Sequence, residues 1–78
     1  MSKLKEVRNE KGISQAALAG SIGMGLSTVF SLEQGKRNIN KAELSTLLKL
    51  CLALKCPIEA ILDDPETLDL LKAYREME

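Results

Sequence analysis

Three observations predict an all-α fold. Apolar residues recur at three- and four-residue spacing along the whole chain, glycines at 12, 23 and 35 punctuate them, and no stretch alternates apolar with polar as a strand would. The 78 residues suit one small domain. With only Phe30 and Tyr74 as aromatics, its core must be aliphatic. A chain this short buries about 60% of its unfolded surface, so its stability margin is thin and dimerisation is one way to widen it.

The first predicted helix carries Leu4, Val7, Arg8 and Lys11 on one face and ends at Gly12, a residue suited to a left-handed terminus. Ser14 caps a second helix, from Gln15 to about Ile22, with Ala17, Leu18 and Ile22 inward. Gly23 breaks it. A third helix spans about Leu26 to Gln34, burying Val29 and Leu32, and Gly35 ends it. Asn40 and Glu43 have the spacing of a capping box and open a fourth helix to about Leu54. Its apolar stripe is Leu44, Leu47, Leu48, Leu50, Cys51 and Leu54. Pro57 fits the first turn of a short fifth helix ending near Leu62. Asp64 and Pro65 repeat that signal for a sixth, from Glu66 to about Met77, whose Leu70, Tyr74 and Met77 follow an i, i+4, i+7 stripe.

Charge is divided unevenly. Residues 1 to 41 carry seven bases against three acids, and residues 42 to 78 carry four bases against eight acids, so halves of +4 and −4 hide inside a net charge of zero. That division suits one face turned toward phosphate and an acidic remainder left in solvent. The chain has no histidine, and no nucleophile stands beside a plausible base, so the parts of an enzyme are missing. Cys51 and Cys56 cannot complete a tetrahedral zinc site, and Cys51 reads as a small core residue. No cofactor is implied. No signal peptide or membrane-spanning run is expected, which makes the cytoplasm the default location.

Residues 13 to 35 concentrate the functional signal. Two short helices are joined by Gly23-Met24-Gly25, a connection able to set one helix steeply across the other. Small residues at Ala16, Ala17, Ala19 and Gly20 allow close approach, and the third helix turns Ser27, Thr28, Ser31 and Gln34 outward. Short hydroxyl side chains on one face let a helix lie deep in the major groove of DNA.

The run Leu4-x-x-x-Arg8, Lys11-Gly12-Ile13-Ser14-Gln15-x-x-Leu18-Ala19, Ile22-Gly23, Ser27-Thr28-Val29 and Leu32-Glu33-x-Gly35-Lys36-Arg37-Asn38 resembles the Cro and phage-repressor helix-turn-helix family, also called XRE-like. Leu50, Leu54-Lys55-x-Pro57-Ile58-Glu59 and Ile61-Leu62 continue the likeness, which covers about residues 3 to 62. It implies a compact five-helix repressor-like domain over residues 1–62, with residues 63–78 as a helical extension for packing or dimerisation. It further implies a transcriptional regulator of the repressor class that binds double-stranded DNA at a palindromic operator as a homodimer. Carried over by position, Leu26, Ser27 and Ser31 face base edges. Gln15, Thr28, Gln34, Lys36 and Arg37 contact phosphate, and Arg8 and Glu33 form a structural ion pair. Leu26 and Phe30 depart from the family's usual polar choices, as does Gly25 where a hydroxyl cap is customary. The stretch from Arg37 to Lys41 is about three residues longer than the common pattern. The competing reading is an antitoxin-like or adaptor module in which Leu26 and Phe30 touch a protein partner.

Overall fold

A computed structural model describes residues 2–77. Five α-helices and two single turns of 3-10 helix follow one another in the order α1 (Lys3–Glu10), α2 (Gln15–Ile22), α3 (Leu26–Gln34), a 3-10 turn (Ile39–Lys41), α4 (Leu44–Leu54), a second 3-10 turn (Ile58–Ala60) and α5 (Pro65–Arg75). Among the described residues there is no strand.

The caps explain most of the boundaries. Ser2 and Ser14 accept hydrogen bonds from Lys5 N and Ala17 N, which satisfies one free donor at the start of α1 and of α2. At the end of α2, Gly23 takes φ 68°, and the Met24 N–H reaches back to the Ala19 carbonyl at 3.0 Å. This left-handed closure costs glycine nothing and would strain any residue with a Cβ. The chain turns by 115° there, so α3 lies across α2. Ala19 is buried against that crossing, and the predicted inward residue Ala17 is exposed instead.

The core is aliphatic and draws on every part of the chain up to Leu62. Leu4, Leu18, Val29, Leu50, Leu54 and Ile61 are its fully buried side chains. Cys51 belongs to it, and burial, followed by the neighbouring Cys56, pushes its thiol up to about 11. A thiol so reluctant to ionise is a packing residue.

Three sequence expectations need correction. The fifth helix contracts to the 3-10 turn Ile58–Ala60, with Pro57 as its N-cap. Lys3 Nζ donates to the Glu59 carbonyl at 2.7 Å and to the Leu62 carbonyl, tying this turn to α1. Second, Asn40 does not cap α4. The extra residues of the loop fold into the 3-10 turn, sink Ile39 into the core and send the Asn40 side chain to a distant partner. Asn40 Oδ1 accepts from the backbone N–H groups of Asp63 and Asp64, and Asn40 Nδ2 donates to Asp63 Oδ1. Glu43 is left as the N-cap of α4 without a side-chain bond. Third, the α4 stripe divides: Leu47, Leu50, Cys51 and Leu54 are buried, while Leu44, Leu48 and the unpredicted Leu52 face outward. The last helix also ends at Arg75, before Met77.

Candidate nucleic-acid interface

The site is built on a hydrogen-bonded frame behind it. Arg8 Nε donates to Glu33 Oε2 at 2.6 Å, and Arg8 Nη2 donates to Glu33 Oε1 at 3.1 Å, a two-pronged pair that fixes α1 against α3. Arg8 Nη1 donates to the Ile13 carbonyl at 2.9 Å, and Gln15 Nε2 donates to Glu33 Oε1 at 3.0 Å. Both charges are buried, yet no buried side-chain polar atom among the described residues lacks a partner. Burial pushes the Glu33 carboxyl up, but the hydrogen bonds from Arg8 and Gln15 and the charge on Arg8 outweigh it. The net effect holds Glu33 below the usual carboxylate range. The hydrogen bond to Glu33, opposed by desolvation, raises the Arg8 guanidinium above its ordinary value. The pair is therefore ionised throughout the physiological range.

On this frame α3 lies at the surface, burying only Val29, Leu32 and Glu33. Ser27, Ser31 and Gln34, at i, i+4 and i+7, stack along its outward side; Ser27 and Gln34 are exposed and Ser31 is half-buried. Leu26 and Phe30 form the adjacent row and are 50% and 42% exposed. Thr28, on the opposite flank, borders a shallow hollow with Arg37 and Lys41. Gln15, the first residue of α2, is half-buried at the edge of this surface.

The basic loop is fastened to the same helix. Gly35 adopts φ 79° and ends α3, after which the N–H groups of Lys36 and Arg37 both donate to the Ser31 carbonyl, at 3.0 and 3.3 Å. Two cations are thereby held beside the last turn of α3. The Lys36 ammonium lies 5.7 Å from the centroid of the Phe30 ring, within cation–π range.

The structure thus sets Ser27, Ser31 and Gln34 along the outward side of α3, with Leu26, Phe30 and Lys36 on one flank and Thr28 and Arg37 on the other. Arg8 and Glu33 lie behind it. Two contributors were not predicted from the sequence, Lys41 at the hollow beside Thr28 and the stacking of Lys36 on Phe30. The basic run Lys36-Arg37 followed by Lys41 is the signal that points to the first; the second needs the fold of the loop. Among the described residues, no single helix is long and apolar enough to cross a membrane.

A family model described as helix-turn-helix matches residues 4–61 of this chain. Among solved structures, the chain is similar to the restriction-modification controller protein C.AhdI from Aeromonas hydrophila, with 38% sequence identity and a TM-score of 0.66 over 74% of this chain and 83% of that one. A comparison with curated proteins finds no match.

Proposed function

The chain belongs to the XRE-type helix-turn-helix family of DNA-binding transcriptional regulators, and from that premise we propose that it is a homodimeric repressor acting at a palindromic operator. Residues 1–62 form the DNA-binding unit and residues 63–78 add the dimerisation element. It works in the cytoplasm, where bacterial DNA lies, and has no catalytic activity. The likeness to a controller protein supports restriction-modification genes as the set it regulates.

The observation that carries the DNA reading is the joining of α3 to the basic loop through the Ser31 carbonyl. The outward row of Ser27 and Ser31 meets base edges when α3 enters the major groove, with Leu26 beside it. Lys36, Arg37 and Gln34 then reach the phosphates of one strand, and Gln15 and Thr28 reach backbone at the margins.

The dimer reading rests on α5 and α4. No residue of α5 is fully buried within the chain, and an isolated helix of 11 residues is marginal in water. Leu70 and Tyr74 stand exposed along it and Met77 just beyond its end, while Leu48 and Leu52 are exposed on α4, where they share a hollow with Arg75. A second copy covering them holds two recognition helices about 34 Å apart, the spacing of half-sites one turn apart.

A gel-shift series against DNA upstream of the protein's own gene tests the function. Specific retardation that weakens steeply with salt is the expected result, with Ser27→Ala weakening binding at one base pair by about 1–3 kcal/mol. Salt-independent behaviour, or equal binding to every sequence, sinks the repressor reading.

A further inference from the structure

Leu26 and Phe30 are an unexplained expense in a chain with two aromatic residues in all. Neither belongs to the buried core, and both are half exposed on a helix whose neighbouring row is polar. We propose that these two side chains form an apolar edge that reads the C5-methyl groups of thymines in the operator. The inference rests on the placement of α3 in the major groove argued above.

The chemistry of the groove singles out this ligand. Every other group a base pair presents there is a hydrogen-bond donor or acceptor; the thymine methyl is the apolar one, and cytosine has only hydrogen at that carbon. Ser27 and Ser31 can donate or accept and so discriminate weakly by themselves. The apolar row beside them supplies what they lack, a preference for T·A over C·G. The dimensions agree. Residues four apart on a helix are about 6 Å apart along its axis. Stacked bases repeat at about 3.4 Å, so the two side chains match methyls about two base pairs apart when α3 runs along the groove.

Lys36 sharpens the arrangement. Its ammonium lies 5.7 Å from the Phe30 centroid, which occupies one ring face and leaves the rest of the ring for contact. The same stacking sets the cation beside the reading edge, where the phosphate strand passes. A protein partner fits this edge poorly. Two side chains bordered by Ser27, Gln34 and Lys36 fall well short of the roughly 600 Å² per partner that a stable protein interface needs.

The test begins with an operator selected from a randomised duplex library using the full-length protein. Each thymine of a half-site is then replaced by deoxyuridine, which removes the methyl and leaves base pairing intact. Loss of one contacted methyl is expected to weaken binding about fourfold, from about 0.8 kcal/mol per buried methyl-sized group. Leu26→Ala and Phe30→Ala, both at exposed positions, are each expected to bind the thymine and deoxyuridine duplexes equally at one position. An operator that is bound with unchanged affinity when every thymine is replaced overturns the methyl reading and leaves the DNA-binding reading standing. So does an operator whose deoxyuridine penalty is the same in both variants as in the wild type. If no duplex is enriched or retarded at all, the groove placement of α3 fails and this inference falls with it.

Discussion

Gln15 Nε2 donates to Glu33 Oε1 at 3.0 Å, so the first side chain of α2 is anchored to the far end of α3. Glu33 is in turn held by Arg8 from α1. A single buried carboxylate therefore ties together α1, α2 and α3, the three helices that carry the proposed DNA-binding surface. Gln15 keeps a second amide hydrogen and its carbonyl oxygen for an outside partner, and its direction depends on a buried ion pair.

Truncating Glu33 is expected to be far costlier than its distance from solvent-exposed chemistry suggests. Glu33→Ala leaves the Arg8 guanidinium buried without its counter-charge and should destabilise the domain by about 3–5 kcal/mol. That is most of the margin of a chain this small. The double replacement Arg8→Met with Glu33→Leu should recover a large part of the loss, since well-packed apolar residues often substitute for a buried pair at little cost. Urea unfolding of the two single variants and the double variant measures the coupling. Additive effects would mean the two charges act independently.

Acid should loosen the same frame. Glu33 titrates below its ordinary value near 4.5 in the folded chain, and hydrogen bonds from the Thr67 hydroxyl and backbone N–H likewise lower Asp64 at the cap of α5. A carboxylate with a depressed folded value stabilises the fold fully above the unfolded value, and its contribution is lost as pH falls through the folded one. Stability to urea is thus expected to be level from about pH 5 to 7 in these two contributions and to decline below about pH 4.5. Glu33→Gln should be less stable at neutral pH but lose less on acidification. A wild-type unfolding midpoint that rises as pH falls from 5 to 3 would contradict the assignment.

The two cations of the loop should supply salt-dependent affinity rather than selectivity. Replacing Lys36 and Arg37 with Ala should remove the two phosphate contacts proposed for them and lower the slope of log affinity against log salt by about 1.8. Binding to operator and to unrelated DNA should weaken alike. Fluorescence anisotropy at four salt concentrations reads both quantities. A slope equal to that of the wild type would take the loop out of the interface, despite its attachment to Ser31.

The parts of this molecule that the sequence discloses are those whose causes are local. Ser14 lies three residues from the N–H it caps, and Gly23 and Gly35 sit where the chain must pass through positive φ. These signals place α2, the turn and α3, and with them the outward row from Ser27 to Gln34. What stayed hidden depends on partners far away in the chain. Asn40 looks like a helix cap by spacing, but the groups it satisfies are 23 and 24 residues later. Lys3 looks like a solvated base, yet it holds a turn 56 residues on. The leucines of α4 are alike in the sequence; only the packed fold separates buried Leu47 and Leu50 from outward Leu48 and Leu52. The same holds at the interface, where the stacking of Lys36 on Phe30 needs the loop to fold back first.

The outward residues of α5 give the most direct test of assembly. Asp64 caps this helix and Pro65 starts it, and Arg75 Nη2 meets Glu59 Oε1 at 3.0 Å, an exposed pair of small energetic value. Leu68 and Leu71 supply its partial cover on the domain side. Those restraints hold α5 in place while leaving Leu70, Tyr74 and Met77 at 64%, 68% and 78% exposure, more apolar surface than a single domain has reason to show water. Leu70→Glu combined with Tyr74→Glu should leave the helix-turn-helix core folded, because neither residue touches it, and should make the protein monomeric at micromolar concentration. Operator affinity should then fall steeply, since each monomer grips one half-site alone, while weak binding to an isolated half-site persists. Leu48→Lys with Leu52→Lys separates the contribution of α4. Light scattering on both variants decides the matter: a Leu70/Tyr74 variant that remains a dimer, beside a Leu48/Leu52 variant that dissociates, would move the interface from α5 to α4.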